Sequence, residues 1–183
     1  MSERLTKQTS IQNVLSLIHS LTLSLFDTMQ SPDSLNQVAE FHRTFHAPVL
    51  ETPQIPSEAR CNLRVSLLTE ELDELREAIA DGDIVAVADA LCDLQYVLSG
   101  AVLEFGLGDA FKALFDEVQR SNMSKACGTV AEAEATVAEY RAKGVPCHFI
   151  ESDGKFLVYR DADHKTLKSV NYSPADLEGI VHS

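Results

Sequence analysis

Two long segments with helical spacing, parted only by Asp81-Gly82-Asp83, constrain this chain more than any other feature. The first runs from about Ser57 to Ala80, with Leu63, Val65, Leu67, Leu68, Leu72, Leu75 and Ile79 as its apolar positions. The second runs from Ile84 to about Phe105 and stops at Gly106-Leu107-Gly108. Asp-Gly-Asp is a strong stop and turn, and a connection that short makes the two helices antiparallel neighbours.

The rest of the chain fits around this pair. Ser31-Pro32-Asp33-Ser34 reads as a break and a cap before a helix from about Leu35 to Phe45. Pro48, Pro53 and Pro56 then mark an extended loop. Further helices are predicted over about Asp109 to Ser121 and Ala131 to Lys143. Past Gly144 the pattern changes. His148 to Glu151 and Lys155 to Tyr159 flank Ser152-Asp153-Gly154, which predicts a β-hairpin. Ser173-Pro174-Ala175-Asp176 reads as the start of a last short helix, with serine as cap and proline at the first helical position. The fold expected is mainly α, an antiparallel helical bundle with a small C-terminal hairpin and a short helix. We divide it into an N-terminal amphipathic helix (1–30), a helical core (31–126) and an α+β extension (127–183) that belongs to the same compact unit.

The N-terminal helix is read from Ile11, Val14, Leu15, Ile18, Leu21 and Leu25. Its polar interruptions make it too short and too polar to span a bilayer, and it lacks a cleavage pattern, so no membrane role is expected. A formal net charge of −13 over 183 residues repels a phosphate backbone, which argues against sequence-independent nucleic-acid binding. Cys61, Cys92, Cys127 and Cys147 are scattered with no Cys-x-x-Cys pair, so reduced thiols and a cytoplasmic setting are expected.

The chemistry is concentrated on the helix pair. Glu70, Glu71, Asp73 and Glu74 put four acids into five residues, and Glu70 and Glu71 each lie about one turn from Glu74. Taken alone, such a run is most simply a solvated acidic face. The second helix carries only Asp89, Asp93 and Glu104 among apolar residues, so it is expected to be mostly buried. Aspartates inside it need cations or hydrogen bonds. The plain alternative is that Arg60, Arg64 and Arg76 pair with them. The other reading is a metal site formed by Glu70, Glu71, Glu74, Asp89 and Asp93. All-oxygen donors suit Mg²⁺, with Mn²⁺ as a possible substitute, better than zinc.

Three stretches together resemble the all-α nucleoside triphosphate pyrophosphohydrolases, the MazG-like group that also includes phosphoribosyl-ATP pyrophosphohydrolase. They are Leu68 to Leu75, Ala88 to Val97, and Arg120-Ser121-Asn122-Met123-Ser124-Lys125. The resemblance covers roughly residues 35 to 125 and extends toward Tyr172-Ser173-Pro174 in one branch. It implies a homodimer or homotetramer, with helices of two subunits in each bundle. It also implies Mg²⁺-dependent cleavage of a nucleoside triphosphate between the α- and β-phosphates. The family pattern is Glu-x-x-Glu followed by Glu-x-x-Asp. Glu71, Glu74 and Asp93 match it. The remaining Glu position falls on Ala90, for which Asp89 is the natural substitute.

The resemblance further assigns Asn122 and Lys125 to phosphate or base, and lysine suits phosphate. Glu70 and Glu71 are candidates for general base, with roles that can be exchanged. Phe41, His42 and Phe45 recur at helical spacing and are either core or a platform for the base. The activity expected is nucleotide-pool house-cleaning. The alternatives are phosphoribosyl-ATP hydrolysis in histidine biosynthesis and a non-catalytic oligomer that binds a metal or nucleotide, which Ala90 keeps open.

Overall fold

The computed structural model describes residues 30–182, and the segment Ile11 to Phe26 lies outside them. The chain divides after Ser34, and the unit Leu35–Ser183 carries what positions the site. In chain order the elements are α1 (Ser34–Thr44), α2 (Glu58–Asp81), α3 (Ile84–Glu104), α4 (Phe111–Met123), α5 (Val130–Ala142), β1 (Cys147–Ser152), β2 (Lys155–Arg160) and α6 (Glu178–Val181). The mainly helical architecture with a small C-terminal hairpin is the expected one.

The turn between α2 and α3 is built from local interactions. Gly82 adopts the left-handed conformation, φ 68°, that closes a helix without a Cβ penalty. The Asp83 amide donates to the Ala78 carbonyl and the Gly82 amide to Ile79, the paired bonds of a Schellman ending. Asp83 then caps α3, its Oδ1 accepting from the amides of Val85 at 2.9 Å and Ala86 at 3.1 Å. One aspartate thus ends one helix and starts the next, and α2 and α3 pack together along their length.

The open end of this helical hairpin is closed by buried charge. Glu104 is fully buried, and both Arg60 and Arg64 of α2 donate to it. Arg64 also reaches His42 Nε2 at 3.2 Å, while His42 Nδ1 lies 2.7 Å from the Pro48 carbonyl. The tautomer that donates from Nδ1 and accepts at Nε2 satisfies both contacts. Gly100 makes room, since a Cβ there would come within 2.7 Å of Arg64 Nη1. Burial pushes the Glu104 carboxyl up, but hydrogen bonds from Arg60 and Arg64 outweigh it and hold the group below the ordinary value of 4.5. Next to this cluster the proline-bearing loop runs along the end of α3. Leu50 N donates to Leu103 O and Gln54 N to Phe105 O. Gly106 permits that approach: its φ is +70°, and a Cβ would lie 1.9 Å from the Thr52 carbonyl oxygen.

Two expectations are corrected. Helix α3 is not mostly buried within one chain: Ile84 and Val85 are each 75% exposed and Leu91 is 52% exposed. Asp89 is accordingly exposed and Asp93 half-buried. A lone antiparallel pair can cover only one face of each helix, so the opposite apolar face stays open. The last helix begins at Glu178, not near Ser173. The Ser173 to Asp176 stretch is drawn out by tertiary bonds to α4. Arg120 donates to Ser173 Oγ and to the Pro174 carbonyl, and Asp176 N donates to Glu117.

The C-terminal part has its own small core of Cys127, Ala133, Val137, Cys147, Val158 and Leu167, separate from the cluster of Val38, Ala39 and Leu103 at α1 and α3. Thr129 caps α5 by accepting from Glu132 N, and Glu132 reaches back to Gly128 N. The hairpin pairs Cys147 with Arg160 through to Ser152 with Lys155. Asp153 and Gly154 both have positive φ, as a two-residue type I′ turn requires. All four cysteines are free.

Removing the buried carboxylate tests the closure. Glu104→Ala leaves two guanidinium groups unpaired and is expected to lower the unfolding free energy by about 3–5 kcal/mol in urea titration. Because the folded carboxyl titrates below its unfolded value, its stabilising contribution is full above about pH 4.5 and is lost as pH falls through the depressed value. Acid destabilisation should therefore be shallower in Glu104→Gln than in the wild type.

Candidate active site

The turn geometry brings the acids of α2 and α3 to one level. Glu74 and Asp89 share a hollow of about 370 Å³ with Glu77, Asp81 and Asp83. Ala90 lies at its floor, 3% exposed, so the position that the resemblance gives to glutamate is a packing residue here. Glu71 sits half-buried one turn along α2. Burial pushes its carboxyl up, and the charges of Glu74, Asp93, Glu70 and Asp89 push it further in the same direction. The other four predicted carboxylates are thus each within electrostatic reach of Glu71.

The alternative pairing with arginine does not occur. Arg60 and Arg64 are committed to Glu104, and Arg76 pairs with Asp73 on the solvent side of α2. No cation on the described residues compensates the cluster. Among the described residues no three acidic, histidine or cysteine side chains converge as a ready metal cage. The donors are nevertheless all carboxylate oxygens, gathered where their mutual repulsion is uncompensated, and this chemistry fits a hard divalent cation.

The remaining predicted residues fall in two places. Phe41 of α1 packs against Phe45 at a centroid distance of 4.4 Å and edge-on to Tyr96 of α3 at 5.7 Å. Tyr96 follows Asp89 and Asp93 on one stripe of α3, so this partly exposed aromatic group lies along the carboxylate face. His42 is different: it is 3% exposed and both ring nitrogens are engaged in the Arg64–Pro48 link. Asn122 and Lys125 lie at the end of α4, where Lys125 Nζ donates to Asn122 Oδ1 at 2.7 Å.

Sequence reasoning missed Glu77 and Asp81 as neighbours of the carboxylates, and Tyr96 as the partner of Phe41. The signal for Tyr96 was its place seven residues after Asp89. It also missed the Glu104 cluster, for which Arg60 and Arg64 one turn apart were a signal.

The geometry thus defines an antiparallel helix pair whose facing sides carry carboxylates. Residues 38–122, a little under half of the chain, match the family Phosphoribosyl-ATP pyrophosphohydrolase. The chain is also similar to an uncharacterized protein of Acanthamoeba polyphaga mimivirus, 27% identical over 109 residues. That match covers 55% of this chain and 41% of the viral protein, so the chain spans less than half the length of that relative.

Mutual repulsion among these acids is directly measurable. In metal-free buffer the Glu71 carboxyl should titrate above an ordinary glutamate by carbon-detected NMR, and Glu74→Gln should bring it back down. An unchanged Glu71 in that variant would separate the two side chains electrostatically.

Proposed function

We propose that this protein is a Mg²⁺-dependent nucleoside triphosphate pyrophosphohydrolase that yields a nucleoside monophosphate and pyrophosphate, with Mn²⁺ able to replace Mg²⁺. The observation that carries the reading is the set of five carboxylates opposed across α2 and α3 with no arginine or lysine of the described residues paired to them. Glu71, Glu74, Asp93 and Asp89 would hold the cation, which when bound neutralises charge on the phosphates. Glu70, exposed beside them, takes the proton of the attacking water as its oxygen bonds to phosphorus and pyrophosphate leaves. Phe41 with Tyr96 supplies an aromatic face for the base. His42 acts behind Phe41, fixing α1 through Arg64 rather than touching substrate. Asn122 and Lys125 contact phosphate. House-cleaning of the cytoplasmic nucleotide pool is the role that suits this activity.

The exposed apolar faces of α3 and α4 support a homodimer or homotetramer in which a second copy covers them. Ile84, Val85, Leu91 and Phe115 are all more than half exposed. A second substrate reading, phosphoribosyl-ATP in histidine biosynthesis, is favoured by the description of the family that residues 38–122 match.

Incubation with Mg²⁺ and a panel of ribo- and deoxyribonucleoside triphosphates and phosphoribosyl-ATP should release monophosphate and pyrophosphate from at least one of them. Glu74→Ala and Asp93→Ala are each expected to lower turnover at least about 100-fold with helix content unchanged. Full activity in either variant excludes this site. Metal-stabilised protein that turns over nothing on the panel makes it a binding module. Sedimentation should give a dimer or tetramer, and Leu91→Glu with Val85→Glu should shift it toward monomer.

A further inference from the structure

Most described cations near a carboxylate are already neutralised: Arg60, Arg64, Arg76, Lys112, Arg120, Lys143 and Arg160 are all in ion pairs. Among the described residues Lys125 and Lys168 are in no ion pair with a carboxylate, although the chain carries a net charge of −13. They meet at one residue. Lys168 Nζ lies 4.2 Å from the centroid of the Tyr172 ring. The Tyr172 hydroxyl is hydrogen-bonded to Ser121 Oγ at 3.0 Å, and Lys125 follows Ser121 by one helical turn.

The segment that brings Lys168 there is anchored on both sides. Leu167 and Ser169 are buried, Lys168 N donates to the Tyr140 hydroxyl, and Val170 N donates to Thr136 Oγ1. Lys168 therefore projects from fixed backbone with its side chain in solvent. The hydrogen bond to Ser121, together with the charges of Lys168 and Lys125, holds the Tyr172 phenol below its usual value.

We propose that Lys125, Lys168 and Tyr172, with the amide of Asn122, form a cradle for an oligophosphate: the phosphate chain of the nucleotide or the pyrophosphate released from it. Two ammonium groups without a carboxylate partner among the described residues sit beside one tyrosine, and charge-assisted bonds to phosphate are the strong kind. Only Asn122 lies inside the segment 38–122, and Lys168 and Tyr172 come from the C-terminal extension 127–183. Its role in turnover rests on the pyrophosphohydrolase reading, but its affinity for an oligophosphate does not.

Titration calorimetry of the full chain in EDTA, with inorganic pyrophosphate and with an α,β-imido nucleoside triphosphate, keeps the metal out of the measurement. Wild type should bind, and Lys168→Ala and Lys125→Ala should each weaken binding about 10-fold. Lys168→Arg should restore most of it. Lys168 is exposed, so melting temperatures should stay level and exclude unfolding as the cause. Under Mg²⁺, a raised KM with kcat kept in Lys168→Ala assigns the cradle to the substrate. Weaker pyrophosphate binding with KM unchanged assigns it to the product. No pyrophosphate binding by wild type, or equal binding by both alanine variants, overturns the cradle even if nucleotides are hydrolysed. Pyrophosphate held at these lysines with no nucleotide turned over leaves the cradle and removes the pyrophosphohydrolase reading.

Discussion

Glu104 is the point on which the helical half of the molecule depends. It is a fully buried carboxylate at the end of an apolar helix, and such a group is tolerated only with paired cations and satisfied lone pairs. Arg60 and Arg64 supply these from the facing helix, and Arg64 passes the constraint through His42 to the Pro48 carbonyl. One buried charge thereby fixes α1, α2, α3 and the intervening loop relative to each other. It also removes two arginines from the acids further along α2 and α3. The same pairing that closes the hairpin keeps the carboxylates of the site uncompensated.

The site depends on the other end. Gly82 and Asp83 set where α2 stops and α3 starts, and that alone decides that Glu74 faces Asp89 and that Glu71 feels Asp93. Carboxylates on stiff helices cannot relax apart as they could on loops. Their repulsion is retained in the folded protein, and the cation proposed for the site would relieve it. Ala90 fits this arrangement as a buried spacer that lines the hollow beside Asp89.

Much of this was legible in the sequence, because the information was local. Asp81-Gly82-Asp83 and Ser152-Asp153-Gly154 dictate their turns through backbone conformations that only a few residues adopt. The acidic run and the Asp89–Asp93 pair were visible as spacing. What was not legible is long-range. Ser173-Pro174 has the look of a helix start, but Arg120 and Glu117, more than fifty positions earlier, claim its backbone instead. The apolar composition of α3 says that its surface must be covered, and composition cannot say whether the cover comes from the same chain. His42 reads as one of three residues on an aromatic stripe. Only the fold turns it inward while Phe41 stays at the surface.

The two ends of the hairpin also differ in when they can form. The turn at Gly82 closes through bonds spanning a few residues, whereas the Arg60–Glu104 pair spans 44. Loop-closure entropy favours the near contacts first, so α2 and α3 zip outward from the turn. The carboxylates lie on the turn side of the clamp and are brought into opposition before it locks. Chain entropy alone thus favours setting the like charges opposite each other ahead of the ion pair that joins the open ends of the helices.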